Sequence, residues 1–535
     1  MTPPGFPVAV VVERGEAGTP AERHDVSEMP STRLGRSKGS DVEPGSQKLN
    51  VLEVSGSPVL KGFESPDGPP PHMQLQNKGT IAGGMTLVAS TIMGAGILAL
   101  PYETAQAGFC ASTVLLLAAY LYLAMQALAL AEVSCGLWTR QRESGHGGNV
   151  TLRGMVSETL GPGAAQVVLT GYLLYAVAIL SAYVSKGGDV IAGVLGYGVD
   201  DLVASNVCST CMTAGLGAMV WFGGTKAAAD WNNAMSPWMA AFFLSILVAG
   251  AGDLDPARLR RVSWPAAPKS LPVIMLSQIY HDVVPYACTY MGGDREAISK
   301  VIVLGGGVSV IAFTAWLAVA LGLMEVHGDG SFDDPLRAME ARGKVIVSFA
   351  VPAFSILAIS TSSVTCLCAL LDFLQDTLRR LGLRLDQSKS KEEDSNRGAD
   401  ASLLPGGRNG SPLLAATSRI LLDPNGAKSV AAALALSIPL IVTCVDPDAF
   451  IHSARLAGAY GTGLLFGILP PLMIWKFRRT EPGLAGMRVL PGGNIMVIAL
   501  FATATTFLLY NVVKDTMLEG EDAGVRTGCT DMSSC

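Results

Sequence analysis

Charge is scarce in this chain: of its 535 residues only 15 % are Asp, Glu, Lys or Arg, while 50 % are hydrophobic. That balance excludes an ordinary soluble multidomain protein. The formal net charge of −6 is spread through loops and tails, and no basic stripe with interleaved aromatics occurs, so nucleic-acid binding is set aside. A phosphate loop of the form GxxxxGK followed by Ser or Thr is also missing, and GGDRE at 292–296 lacks a nucleotide-binding context, which argues against an ATP-driven pump. The ten cysteines make no disulfide-rich framework. Cys110, Cys135, Cys288, Cys366, Cys368 and Cys444 read as apolar packing residues. Cys208-x-x-Cys211 stands without the further Cys or His that a metal centre needs, and a local disulfide is its expected use. The tail pair Cys529 and Cys535 falls on the same, non-cytosolic side. No metal, cofactor or catalytic group is expected.

What the chain has instead is apolar blocks long enough to cross a bilayer, each about twenty residues or more. Eleven spans are expected, at 79–107, 109–137, 164–192, 207–222, 234–252, 271–291, 297–324, 343–378, 427–444, 451–476 and 491–513, giving an all-α polytopic membrane protein. A cytoplasmic N-terminus puts Arg140, Arg142, Arg153, Lys226, Arg295, Lys300, Arg379, Arg380 and the Lys476–Arg479 run on the inner side. Arg258, Arg260 and Arg261, with Arg337 and Arg342, run against that trend. Residues 1–77 are too polar for a core and read as a disordered cytosolic tail, with an organellar presequence as the competing reading. The polar run 381–426 reads as a mobile loop, its Asn409-Gly410-Ser411 carrying little weight as a glycosylation site, and 514–535 as a C-terminal tail. Plasma and organelle membranes both fit.

Two spans are irregular at their centres. In the first, Thr91 to Pro101 reads TIMGAGILALP, with Gly94 and Gly96 on either side of Ala95. In the sixth, His281, Asp282 and Pro285 lie at mid-membrane, and Pro285 lacks the amide proton a continuous helix uses. Unpaired backbone at this depth is tolerated only beside a protein-lined cavity. The breaks are five spans apart, which predicts two inverted five-helix units, 79–252 and 271–476, whose interrupted helices meet at the midplane, with the eleventh helix outside the repeat. Two unrelated kinks relieved by packing are the alternative, and the inverted repeat is the more economical of the two.

These segments carry a resemblance. Gly79 to Phe109, Tyr280 to Ile302, Phe354 to Leu378 and Gly458 to Trp475 resemble the first, sixth, eighth and tenth spans of the tryptophan/tyrosine permease family within the amino acid permease superfamily. The likeness covers roughly 79–513. It implies secondary transport of an aromatic or neutral amino acid, driven by a proton gradient, on an inverted-repeat fold. One departure is visible: the family commonly has Phe-His-Asn in its sixth span, where this chain has Tyr280-His281-Asp282.

Chemically, unwinding at Gly94, Ala95 and Gly96 frees amide protons for a substrate carboxylate, and carbonyls near Ser90, Thr91 and Met93 can take its ammonium. Tyr172, Tyr175, Tyr280 and Phe354 are candidates for the side-chain pocket, though such rings equally fill cores. His281 with Asp282 is the leading proton-coupling or gating pair; Glu103 and Glu132 either carry a proton or brace a neighbour. Lys186 and Asp189 share a helix face as an ion pair. Sodium is the rival coupling ion, held by Ser362 and Ser363 with the Met93 region, although small hydroxyl residues also pack helices. The expected partners are the amino acid and the bilayer, with no obligate protein partner. An embedded enzyme using His281 and Asp282, or a channel, are the readings from other classes.

Overall fold

Helix ends in this chain follow from its caps, glycines and prolines. Thr80 accepts the Gly83 N–H at 3.1 Å to open α1 (Ile81–Ile92), and Gly108, at φ 79°, turns the chain into α3 (Phe109–Glu143) after the short α2 (Gly96–Thr104). Gly161, at φ 95°, ends α4 (Leu152–Leu160), and Pro162 starts α5 (Pro162–Val194), where no intrahelical amide is needed. The computed structural model describes residues 79–144, 150–198, 201–324, 345–398, 417, 419–481 and 488–528. The remaining helices are α6 (Leu202–Ala251, with non-helical Gly224 inside), α7 (Pro256–Leu259), α8 (Ala267–Ser277), α9 (Val284–Tyr290) and α10 (Arg295–Leu323). Then come α11 (Val345–Gly398), α12 (Pro424–Val445), α13 (Ala449–Leu456), a π-helical stretch Ala457–Ile468, α14 (Leu469–Thr480) and α15 (Gly493–Gly528).

The chain is an all-α, multi-pass integral membrane protein. Among the described residues nine helices are long and apolar enough to span, or ten when α1 and α2, bent by 57°, count as one. The expected sixth span, 271–291, is divided between α8, a 3-10 turn at His281–Val283 and α9, so no continuous helix stands for it. Gly224 separates the fourth and fifth spans as Leu202–Gly224 and Lys226–Ala251, both starting earlier than expected. The eighth differs most: α11 runs to Gly398, so 381–398 is helix and not loop, because its Arg, Lys, Glu, Gln and Leu are good helix formers with no proline among them. The N-terminal tail, Arg337, Arg342, Asn409-Gly410-Ser411, Cys529 and Cys535 lie outside the described residues.

Cys208 and Cys211 are free thiols, one buried and one exposed, contrary to the expected disulfide. Both sit within α6, where residues three apart have Cβ atoms about 5–6 Å apart. A disulfide needs about 3.8 Å.

The core runs between α1, α2, α3, α8, α9 and α10, with Trp316, Tyr280, Phe313 and Phe354 fully enclosed. α1 packs on α10, α8 and α9 pack on α3, and α2 meets α8. α5 lies against α6, α11, α12 and α13, and α15 covers the π-helical stretch.

Candidate functional site

Three residues make the first break. The Met93 N–H donates to the Ala89 carbonyl at 3.0 Å, and a ψ of 61° takes Met93 out of the helix. The Gly94 N–H folds back on the Ile92 carbonyl at 2.8 Å, and the Ala95 N–H donates to the Ser362 hydroxyl of α11 at 3.0 Å. Two of the amides expected to be free are thus engaged inside the protein, one of them by a side chain that can release it. Glycine is needed for close approach: a Cβ on Gly94 would stand 2.7 Å from Ser362 Oγ, and one on Gly96 3.3 Å from the Ser277 Cα that ends α8. The Ser90 and Thr91 hydroxyls both donate to the Leu87 carbonyl, at 3.1 and 2.8 Å.

The second break therefore lies beside the first. The Gln278 and Ile279 N–H groups fold back on the Met275 and Leu276 carbonyls, Tyr280 leaves helical geometry at φ −146° and ψ 13°, and one 3-10 turn leads into α9. Pro285 falls in the first turn of α9, so it starts a helix where the sequence suggested that it breaks one; the missing amide proton has no carbonyl to serve there.

An aromatic row extends from this break. His281 stacks between Tyr280 (5.3 Å) and Phe466 (5.1 Å), Phe466 meets Tyr175 edge-on at 5.8 Å, Tyr175 meets Tyr172 at 6.1 Å, and Tyr172 meets Phe373 at 5.7 Å. Gly461 in the π-helical stretch makes the room, since a Cβ there would lie 2.4 Å from Tyr175 Cδ2. Tyr280 and His281 are buried, and Tyr280 Oη has no hydrogen-bond partner among the described residues. His281 approaches the Leu123 backbone without reaching hydrogen-bond geometry at either ring nitrogen. Asp282 is half-buried, carries no hydrogen bond or ion pair among the described residues, and lies within electrostatic reach of Tyr172, Tyr175, Tyr286 and Cys366.

Phe354 is placed elsewhere. It packs with Phe243 at 5.5 Å and Trp316 at 6.0 Å, and the Trp316 indole donates to the Ile97 carbonyl at 3.1 Å, behind α2 and away from the tyrosine row. Ser362 also comes close to the Tyr183 hydroxyl, while the neighbouring Ser363 hydroxyl is buried and has no hydrogen-bond partner among the described residues. Two acids are held by arginine. Glu103 takes Arg455 at 2.7 and 3.1 Å. Glu132 takes Arg478 at 2.6 and 2.9 Å and the N–H groups of Val489 and Leu490. Asp189 accepts from the Ser205 hydroxyl at 2.6 Å, and the Lys186 ammonium stands over the Phe450 ring.

Sequence reasoning passed over Phe466, Tyr183 and Gln126. Gln126 donates to the Tyr122 hydroxyl and the Gly467 carbonyl at 2.8 and 2.9 Å, tying α3 to the π-helical stretch. A buried amide inside an apolar run was the available signal for it. Phe466 and Tyr183 gave none, because an aromatic in an apolar span is ordinary.

The contact between the breaks is testable. Gly96→Val should force Ser277 away and lower stability by about 1–3 kcal/mol, as overpacking does. Thermal unfolding of the purified protein in detergent checks this, Gly96→Ala giving a smaller shift; an unchanged midpoint for Val would mean that the two breaks separate freely.

Residues 77–510 match the family model described as the tryptophan/tyrosine permease family. The chain is 26 % identical to the tyrosine-specific transport system 1 of Haemophilus influenzae over 308 residues, 56 % of this chain and 74 % of that protein. It is 22 % identical to the tyrosine-specific transport system 2 of the same organism over 438 residues, 80 % and 95 % of the two chains. With the tryptophan-specific transport protein of Pseudomonas aeruginosa it shares 23 % over 316 residues, 56 % and 73 % of the two.

Proposed function

Because the chain belongs to the tryptophan/tyrosine permease family, we propose that this multi-pass amino acid transporter carries aromatic or neutral amino acids across its membrane together with protons. The observation that supports this most is the meeting of the two helix breaks, Gly96 against Ser277, beside an aromatic row within electrostatic reach of Asp282, a carboxylate unpaired among the described residues. In this reading the substrate carboxylate takes the Ala95 N–H over from Ser362, and its ammonium lies against carbonyls at the end of α1, near Ser90, Thr91 and Met93. The side chain lies along Tyr172, Tyr175 and Tyr280, and the coupling proton resides on Asp282 beside His281.

Counting α8 and α9 as one interrupted helix gives eleven spans. The pairings support an inverted repeat: α1 on α10 is matched by α8 and α9 on α3, and the corresponding third and eighth spans, α5 and α11, pack together. An odd number of spans per unit inverts the second copy. The basic residues Arg140, Arg142, Arg153, Arg379 and Arg380 favour a cytoplasmic N-terminus.

Sodium coupling is the second reading, favoured by one observation: the Ser363 hydroxyl is buried without a partner next to Ser362, on the helix facing the end of α1. Both are tested by uptake of labelled tryptophan, tyrosine and leucine into liposomes holding the purified protein, with a proton gradient and a sodium gradient imposed separately. Proton-driven, saturable accumulation of an aromatic substrate is expected; accumulation under sodium alone reverses the coupling, and no accumulation of any of the three sinks the proposal.

A further inference from the structure

A second carboxylate lies on the same internal path. Asp372 sits on α11, ten residues beyond Ser362, about 15 Å along the helix. Like Asp282 it is half-buried and carries no hydrogen bond or ion pair among the described residues. Tyr286, one turn beyond Asp282, lies within electrostatic reach of both acids. Phe373, the next residue on α11, packs on Tyr172, which itself feels Asp282. The row Asp282, Tyr286, Asp372 therefore leads from the second break toward the part of α11 where Asp376 is held by Arg153 of α4 and by Arg380.

The cations nearby do not neutralise Asp372. Arg153 and Arg380 are engaged by Asp376, one turn further on. The titratable groups facing Asp372 are Tyr286 from α9 and Cys368 from its own helix, with Asp282 beyond Tyr286; α5 contributes Tyr172 through Phe373. At the other end His281 is fully enclosed with both ring nitrogens unpartnered among the described residues, an independent sign that this path takes up a mobile proton or ligand. An ionisable group within or at the edge of the bilayer that has no fixed countercharge is a functional candidate by default.

We propose that Asp372 is the release station for the coupling proton, receiving it from Asp282 and passing it to water on the α4 face. The O–H bond on Asp282 breaks as its proton passes to the Tyr286 oxygen, the Tyr286 O–H bond breaks as one forms on Asp372, and the Asp372 O–H bond then breaks to water; no electrons change hands. This rests on the proton-coupled reading given above, and Asp372 acts as a positioning residue for the proton and does not touch the substrate.

The experiment compares wild type, Asp372→Asn and Asp372→Glu in liposomes with labelled tryptophan. Accumulation under a proton gradient is measured beside exchange at equal pH, in which no net proton movement is needed. Asp372→Asn should lose about tenfold or more of its gradient-driven accumulation, and the dependence on pH at the α4 face, while exchange stays within about twofold of wild type. Asp372→Glu should restore both. Wild-type accumulation by the Asn variant overturns the inference, as does a parallel loss of accumulation and exchange that Glu does not rescue. Should the Asn variant fail to fold, a folded Asp372→Glu variant that loses gradient-driven accumulation overturns it. Wild-type accumulation indifferent to protons is a separate outcome, which removes the parent reading and this inference with it.

Discussion

Asp282→Asn should cut proton-driven accumulation of an aromatic substrate by about 100-fold or more while leaving exchange at equal pH measurable. The amide has nearly the size of the carboxyl group and keeps its hydrogen-bonding capacity, but it cannot take and give a proton. Asp282 has no fixed ion-pair partner among the described residues, so its replacement strands no buried arginine or lysine and the break keeps its shape. Loss of accumulation with exchange retained therefore reports coupling, not folding. Equal accumulation by wild type and variant, measured in the same liposomes at the same gradient, would move the coupling group elsewhere, with Ser362 and Ser363 next in line.

Glu132→Ala should be the most destabilising single change, by about 3–5 kcal/mol. The carboxylate is buried and accepts four hydrogen bonds: Arg478 Nε at 2.6 Å, Arg478 Nη2 at 2.9 Å, and the N–H groups of Val489 and Leu490 at 2.8 and 3.0 Å. It ties α3 to the end of α14 and to the chain that leads into α15. Truncation leaves two backbone donors without an acceptor, and a guanidinium only 11 % exposed that keeps just the 3.5 Å contact from Nη1 to Asn494 Oδ1. Glu132→Gln keeps the size and some hydrogen bonds and should cost less. The exposed pair Arg140 with Glu481 provides the contrast: breaking it should change stability by less than about 1 kcal/mol. Unfolding midpoints in detergent decide, and a Glu132→Ala midpoint no lower than that of Glu481→Ala would show that the buried pair contributes little.

How far the site was legible in the sequence follows from the range of each signal. Gly94 and Gly96 were readable because glycine inside an apolar span is a local anomaly. The second break was found through Pro285, but its position was not: the chain leaves the helix near Gln278 to Tyr280, and the proline begins the next one. Phe354 shows the limit of motif reasoning, since it lies in a segment that resembles the family yet packs against Phe243 and Trp316 behind α2. The length of α11 was missed because a polar composition suits both a loop and a solvated helix, and helix propensity was the only discriminating signal.

By itself the sequence determined the class of protein, the approximate spans and the two places where helices fail. Those properties depend on hydropathy over about twenty residues and on the backbone limits of single glycines and prolines, both local quantities. The tertiary structure alone decided which acids are fixed and which are free. Glu103 and Glu132 find arginines 352 and 346 residues away along the chain, a pairing that no local pattern encodes. Asp282 and Asp372 look no different in the sequence, yet packing leaves both without a countercharge among the described residues, both within reach of Tyr286. The charge state of a buried carboxylate depends on its neighbours in space, and in a helical membrane protein those neighbours come from distant spans.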